Sequence, residues 1–123
     1  MTQTKTLDTL REAIERGSTT CEKVVEEHLD AIEKGRHLNA FLSVYSDEAL
    51  ERARAIDRKI EKGAAGPLAG MVMGIKDQIC IKDHPISCAS RIMENFVSLH
   101  DATVIERLRA ADAIFVGRTN MDE

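Results

Sequence analysis

The sequence predicts an α/β fold, and three observations lead to that prediction. Residues 1–64 carry apolar side chains at helical spacing in three successive segments. Two short apolar runs, Met71–Ile75 and Ile114–Val116, are typical of strands buried on both faces of a sheet. A helical pattern at residues 102–111 lies between these runs, so the order strand, helix, strand predicts a βαβ unit with parallel strands.

Residues 1–64 are interpreted as a helical leader, and its first two helices carry recognisable end signals. The first helix begins after Thr6, a suitable N-cap, and ends at Gly17. The second helix follows Thr19, which forms a capping-box pattern with Glu22.

The leader also contains a strand-like segment and a third helix. Residues 38–45 have the composition of a short strand or an extended connection. Ser46 is the predicted cap of the third helix, which closes near Gly63. The apolar face of this helix comprises Ala49, Leu50, Ala53, Ile56 and Ile60.

The segment Gly66–Asp77 holds the most informative side chain, Lys76. This lysine follows an apolar strand interrupted only by Gly74, whose missing side chain leaves room for another backbone or a ligand. Ligands of open α/β sheets bind beyond the carboxyl ends of the strands. A partly desolvated amine at that place can have its pKa drawn toward neutrality. The plain alternative is a solvated lysine at a strand end.

The second half of the core begins with an irregular region over residues 78–90, followed by a helical turn at residues 91–96. Asp101 is the predicted N-cap of the helix at residues 102–111, and Thr103 with Glu106 forms another capping-box pattern. The predicted buried stripe of this helix comprises Val104, Leu108 and Ala111.

Composition narrows the class of protein. Hydrophobic residues make up 43% and charged residues 31% of the chain, as in ordinary globular domains. A net charge of -4 argues against nucleic-acid binding through this surface. No apolar run has the length of a membrane span, and three cysteines without disulfide-scaffold spacing predict a reducing cytoplasm. Because the chain ends directly after its second buried strand, we expect a piece of a longer protein.

Four segments, found in this order, resemble the amidase signature family. They are Gly66–Asp77, Ser87–Ser90, Asp101–Leu108 and Gly117–Glu123. The resemblance implies the N-terminal portion of a single amidase domain, with residues 1–64 as helical leader and residues 65–123 as the start of the catalytic core. It further implies an α/β/α sandwich with a mixed sheet, incomplete in this chain.

The resemblance implies amide hydrolysis by a Ser–cis-Ser–Lys triad. Lys76 matches the family lysine, which must be neutral to act as base. The two serines lie beyond Glu123 in the family pattern, and Ser87, Ser90 and Ser98 do not occupy their positions. The 123 residues alone are therefore expected to be inactive.

Within the family, the likeness is greatest to glutamine-hydrolysing amidotransferase subunits. Such a protein releases ammonia for the conversion of Glu-tRNA(Gln) to Gln-tRNA(Gln). The implied partners are the B and C subunits of a heterotrimer, with tRNA bound mainly through the B subunit and no membrane. ATP and Mg²⁺ belong to the B subunit, so no cofactor or metal is expected in this chain.

Three residues depart from the family pattern. Gln78 replaces the usual Asn after the Lys-Asp pair, and Arg118 replaces the usual Lys. Asp112 stands where Gly is usual, at a helix end where the macrodipole disfavours a carboxylate.

Four other hypotheses compete with this one. Cys80, His84, Cys88 and His100 could supply zinc ligands, although their spacing is not that of a zinc knuckle. Cys80 or Cys88 could act as a nucleophile activated by a histidine. A general carboxylic amide hydrolase and a non-catalytic fragment that acts only by binding are the remaining alternatives.

Overall fold

A computed structural model describes residues 6–122 of the chain. The elements in this part of the chain are α1 (Leu7–Glu15), α2 (Cys21–Lys34), β1 (Phe41–Val44), α3 (Ser46–Glu61), β2 (Val72–Lys76), α4 (Thr103–Ala110) and β3 (Ile114–Thr119). Short 3₁₀ turns occupy Arg36–Leu38 and Arg91–Met93. The α/β prediction, the three leader helices and the two core strands are confirmed.

The three strands form a mixed sheet in the order β1-β3-β2. Strand β2 runs parallel to β3 with α4 as the crossover, as the βαβ pattern predicts, whereas β1 runs antiparallel to β3. A β-bulge interrupts the β2–β3 ladder: Met73 pairs with Phe115, but Gly74 pairs with Gly117. Val116 is therefore an extra residue, and a shift of one residue turns the following side chains to the other face.

Two apolar clusters cover the two faces of the sheet. Helices α1 to α3 supply most of the larger cluster, in which Val25 and Ile56 pack with Ile114 of β3. The smaller cluster joins Ile75 of β2 to Ile105 of α4. Burial of such side chains is the main stabilising term for this part of the chain.

The start of α2 differs from its prediction by one residue. Thr6 caps α1 as predicted, but the N-cap of α2 is Thr20, which accepts a hydrogen bond from Lys23 N. The pattern of Thr19 with Glu22 was a misleading capping box. A carboxylate from α3, Asp57, accepts hydrogen bonds from the first backbone N–H groups of α2, so a tertiary contact completes the cap.

Two further predicted caps were wrong. Ser46 is the first residue of α3, and the capping position belongs to Tyr45 without a side-chain hydrogen bond. Ala102 occupies the N-cap of α4, because the Asp101 carboxylate binds Lys82 N and Arg109 instead.

The predicted buried face of α4 was also wrong. Ile105 is fully buried, whereas Val104 is exposed and Leu108 and Ala111 are half-buried. The helix has only eight residues. Its single deeply buried side chain, Ile105, packs with Ile75 and Ile81.

Strand β2 is less buried than its composition predicts. Only Ile75 is buried, while Val72 and Met73 are half-buried and Gly74 is exposed. The strand lies at the edge of the three-stranded sheet, next to β3 alone. The prediction of a strand buried on both faces is therefore wrong for β2, whereas it is confirmed for β3, in which Ile114, Val116, Gly117 and Arg118 are buried.

Candidate active site

Lys76 lies at the carboxyl end of β2, as predicted, and pairs with Thr119 of β3. Its Nζ donates a hydrogen bond to Asp122 Oδ1 at 2.8 Å. The lysine side chain is 34% exposed and the Asp122 side chain 87% exposed. An ion pair this exposed contributes little free energy, so the amine can readily exchange Asp122 for another partner.

The residue after Lys76 faces the opposite side of the sheet. Asp77 is buried, and its carboxylate accepts hydrogen bonds from the backbone N–H of Ser87 at 3.2 Å and from Ser87 Oγ at 2.5 Å. The backbone carbonyl of Asp77 accepts a further bond from Cys88 N at 3.1 Å. Asp77 therefore closes the loop of residues 78–87 by side chain and main chain together.

Arg118 reaches the same region from the neighbouring strand. Its guanidinium is 1% exposed and donates from Nη1 to the carbonyl oxygens of Lys76 at 3.3 Å and Ile79 at 2.9 Å. Arg118 Nε lies 3.6 Å from Asp77 Oδ1, which is an ion-pair distance too long for a hydrogen bond. Arg118 thus contacts the carboxyl end of β2 from the face of the sheet opposite to the Lys76 side chain.

The loop beside Lys76 contains an unusual backbone segment. Cys88 and Ala89 are consecutive residues in the left-handed region, with φ of 52° and 57°. Such conformations are uncommon for residues with a Cβ and persist where surrounding contacts impose them. Here the contacts of Asp77 with Ser87 and Cys88 supply that constraint.

The histidines and cysteines proposed as zinc ligands are not gathered at one place. His84 Nε2 lies 2.7 Å from a Glu48 carboxylate oxygen, and its Nδ1 lies 2.7 Å from the Lys82 carbonyl. Among residues 6–122, no group of three or more His, Cys, Asp or Glu side chains is placed to hold a metal ion. The arrangement thus leaves His84 engaged with groups other than Cys80 or Cys88.

At the amino ends of β2 and β3, Asp112 forms a second polar cluster. Its buried carboxylate accepts hydrogen bonds from Gly66 N at 2.7 Å, Lys59 Nζ at 2.8 Å and Arg52 Nη2 at 3.2 Å. Burial by itself raises the pKa of Asp112, but the Lys59 and Gly66 hydrogen bonds and the two positive charges outweigh it and lower that pKa. The departure from glycine at this position therefore has a structural explanation.

A cavity of about 650 Å³ opens between α2, the 3₁₀ turn at Arg36–Leu38 and β1. It has largely apolar walls that include Val72, Gly74 and Val116, but it does not include Lys76. Gly74 faces the Phe41 ring, so its missing Cβ makes room for a side chain of this chain. We therefore assign the candidate active site to Lys76 and not to the cavity.

The βαβ unit with Lys76 at its carboxyl end, the mixed sheet and the helical leader are features expected from the resemblance to the amidases. The Amidase family model matches residues 23–123, and the chain belongs to this family. Its curated relatives narrow the comparison further. The chain is 52% identical, over 93% of its length, to the glutamyl-tRNA(Gln) amidotransferase A subunit from Chlorobium chlorochromatii. It is 49% identical over 92% of its length to the protein of the same name from Salinibacter ruber.

Solved structures give the same result for the fold. The peptide amidase from Stenotrophomonas maltophilia superposes with a TM-score of 0.86 at 29% identity, over 95% of this chain and 25% of the amidase. A member of a vestigial complex related to the origins of an s-triazine catabolic enzyme gives 0.88 at 33% identity, over 98% of this chain and 27% of its own. The mixed sheet and α/β character implied by the resemblance are confirmed.

The chain spans about a quarter of the length of the curated relatives it matches, with 24% coverage for the Chlorobium chlorochromatii protein and 22% for that of Salinibacter ruber.

None of the helices within residues 6–122 is both long and apolar enough to cross a membrane. The role of Lys76 as catalytic base stays a prediction.

Sequence reasoning placed Lys76 correctly but missed the residues around it. Asp77 and Ser87 lie in segments that resemble the amidase signature family, but the sequence analysis assigned them no role. Arg118 was noted only as a replacement of the usual Lys. Arg118 follows the apolar run Ile114–Val116 closely, and a charged residue so near a buried strand is unusual. That position was the sequence signal for a buried arginine.

Proposed function

We propose that these residues form the N-terminal part of a glutamine-hydrolysing amidotransferase subunit. The ammonia that it releases serves the conversion of Glu-tRNA(Gln) to Gln-tRNA(Gln). The single observation that carries the proposal is the 52% identity to a glutamyl-tRNA(Gln) amidotransferase A subunit over 93% of the chain. The placement of Lys76 at the open end of β2 agrees with it, because ligands of α/β sheets bind at that end.

In the proposed reaction, Lys76 is the general base of a Ser–cis-Ser–Lys triad whose serines lie outside residues 1–123. The neutral amine accepts the proton of the second serine, which in turn accepts the proton of the attacking serine. The attacking oxygen bonds to the side-chain carbonyl carbon of glutamine, the proton held by the triad passes to the amide nitrogen, and the C–N bond breaks, which leaves an acyl-enzyme and releases ammonia. Water then hydrolyses the acyl-enzyme and restores the serine.

The proposed partners are the B and C subunits of a heterotrimeric amidotransferase in the cytoplasm. The B subunit uses ATP and Mg²⁺ to activate the Glu-tRNA(Gln), and it provides most of the tRNA contact. The net charge of -4 supports this division, since a tRNA-binding surface is normally basic. No cofactor or metal is proposed for the present residues.

A general carboxylic amide hydrolase is the second candidate. It is supported by the TM-score of 0.86 with a peptide amidase, obtained over 95% of this chain. Both candidates use Lys76 in the same role, so they differ in the amide that is cleaved and in the need for partner subunits.

The test uses the complete protein that carries these residues, assayed for ammonia release from glutamine and from a C-terminal peptide amide. We expect glutamine to be preferred, and preference for the peptide amide would favour the second candidate. Replacing Lys76 with Ala should lower glutamine hydrolysis by about 10³-fold, as expected on removal of a general base.

Lys34→Ala is the matched control, because Lys34 forms an exposed ion pair with Asp30 on helix α2. Its activity should equal that of the unsubstituted protein. Near-normal turnover by the folded Lys76→Ala protein would contradict both candidates.

A further inference from the structure

We propose that Arg118 and Asp77 are positioning residues for Lys76, which they hold through its backbone from the opposite face of the sheet. This inference rests on the proposed role of Lys76 as base. Neither residue contacts the lysine amine, which binds Asp122. Their part is to keep the carboxyl end of β2 in one geometry.

The β-bulge at Val116 brings Arg118 to that face. Ile114 and Val116 pack against the helices α1 to α3. Simple alternation along β3 would send residue 118 to the same side. Because Val116 is an extra residue in the ladder, Arg118 pairs with Ile75 and shares its side of the sheet.

From there the guanidinium reaches the turn that follows Lys76. The Lys76 carbonyl accepts hydrogen bonds from Ile79 N at 3.0 Å and from Arg118 Nη1 at 3.3 Å. The same Nη1 also binds the Ile79 carbonyl at 2.9 Å. One buried cation therefore fixes both ends of the turn at residues 76–79.

Asp77 adds a second constraint on the other side of the same turn. Its N–H donates to the Thr119 carbonyl at 3.1 Å, which extends the β2–β3 ladder by one step beyond Lys76. Its carboxylate holds Ser87 and lies within ion-pair distance of Arg118. The contacts of Asp77 thus tie β2, β3 and the left-handed turn at Cys88 and Ala89 into one unit.

The incomplete hydrogen bonding of the buried Arg118 guanidinium indicates a role beyond stability. Within residues 6–122, its buried Nε and Nη2 have no acceptor in hydrogen-bonding geometry, and Nε keeps only the longer ion-pair contact with Asp77 at 3.6 Å. A buried donor without a partner is destabilising, and an apolar side chain in the same place avoids that penalty. The residue is explained if a fixed backbone at Lys76 is required for the reaction, because small misplacements of a reacting group lower the rate strongly.

The experiment measures glutamine hydrolysis by the complete protein with Arg118→Met, Arg118→Lys and Arg52→Met. We expect Arg118→Met to lower kcat about 100-fold, with KM changed less than about threefold, because Arg118 is buried within residues 6–122 and acts on the backbone of Lys76. Arg118→Lys should recover most of kcat, since its ammonium can still donate to the Lys76 carbonyl.

Arg52→Met is the matched control at the other end of the sheet. Arg52 also binds one backbone carbonyl, that of Arg109, and one carboxylate, that of Asp112. Its replacement should lower the melting temperature but leave kcat within about twofold. Equal loss of kcat in the Arg52 and Arg118 variants, or an unchanged kcat in Arg118→Met, would overturn the inference.

Ser87→Ala provides a milder variant if Arg118→Met does not fold. It removes only the hydroxyl that donates to Asp77, and we expect a fivefold to tenfold lower kcat, about the scale of one lost hydrogen bond, at an unchanged KM. Where Arg118→Met does not fold, an unchanged kcat in Ser87→Ala would overturn the inference. Full activity of Lys76→Ala would instead refute the proposed function itself, so the two failures are distinguishable.

Discussion

Each end of the β2–β3 pair holds a buried carboxylate, but the two carboxylates differ in the number and exposure of their hydrogen-bond partners. At the amino ends, Asp112 has one backbone donor and two cationic partners, and Lys59 remains 45% exposed. At the carboxyl ends, Asp77 and Arg118 are both fully buried and form an ion pair, but two guanidinium nitrogens lack hydrogen-bond partners within residues 6–122. The first arrangement is typical of a stabilising contact. The second leaves a buried cation with incomplete hydrogen bonding next to Lys76, which stability alone does not explain.

Asp112 also shows how a tertiary contact reverses a local disadvantage. A carboxylate at the carboxyl end of α4 is disfavoured by the helix dipole, and its φ of 70° is unusual outside glycine. Hydrogen bonds to Gly66 N and Lys59 Nζ offset both effects. This cluster fastens the turn before β2 to the turn before β3.

The largest effect on stability is expected where backbone meets backbone at the amino ends. A Cβ at Gly66 would lie 2.6 Å from the Ala111 carbonyl oxygen, so Gly66→Ala should lower the free energy of unfolding by about 3 kcal/mol. Gly74→Ala is the control, because the atoms nearest to its Cβ would belong to the side chains of Thr119, at 2.9 Å, and Phe41, which can shift more easily than a backbone carbonyl. We expect about 1 kcal/mol for it in urea denaturation of the complete protein. Equal losses would show that the two ends are packed alike.

Asp112→Asn should have a smaller effect, about 2 kcal/mol in the same measurement. Asparagine tolerates the left-handed backbone, so the change removes charge while conformational strain stays similar. The partly exposed cations, Lys59 and Arg52, keep much of their hydration. Glutamine hydrolysis should be unchanged after this substitution. A lower kcat of Asp112→Asn without a loss of stability would contradict the view that the amino ends of β2 and β3 are structural and their carboxyl ends functional.

The smallest effect is the acid dependence of the same contact. The lowered pKa of Asp112 means that its contribution is complete above the ordinary carboxyl value of 3.8 and is lost as pH falls through the lowered value. The stability difference between the unsubstituted protein and Asp112→Asn should thus be constant near neutrality. It should shrink below pH 3.8 by at most about 1.4 kcal/mol per pH unit.

Asp101, whose pKa is also lowered although burial opposes that shift, is present in both proteins and cancels in the comparison. A difference that grows in acid would show that Asp112 is not stabilised as a carboxylate.

The helices and the core strands were predictable because their signals are local. Apolar residues three and four positions apart indicate amphipathic helices, and a short apolar run indicates a strand. Cap residues were less predictable: Thr6 was correct, whereas Thr19, Ser46 and Asp101 were not. Several residues near each helix start can accept a hydrogen bond, and the folded contacts select among them. Asp101, for example, binds Lys82 and Arg109 instead.

The sequence by itself determined the α/β class, the βαβ order and the place of Lys76 at the end of β2. Only the tertiary structure decided which residues support that lysine. Arg118 and the Lys76 carbonyl are 42 positions apart, and Gly66 and Asp112 are 46 apart. Contacts of this separation depend on strand register, and a single bulge residue, Val116, changes the face on which Arg118 lies. Local periodicity contains no information about that register.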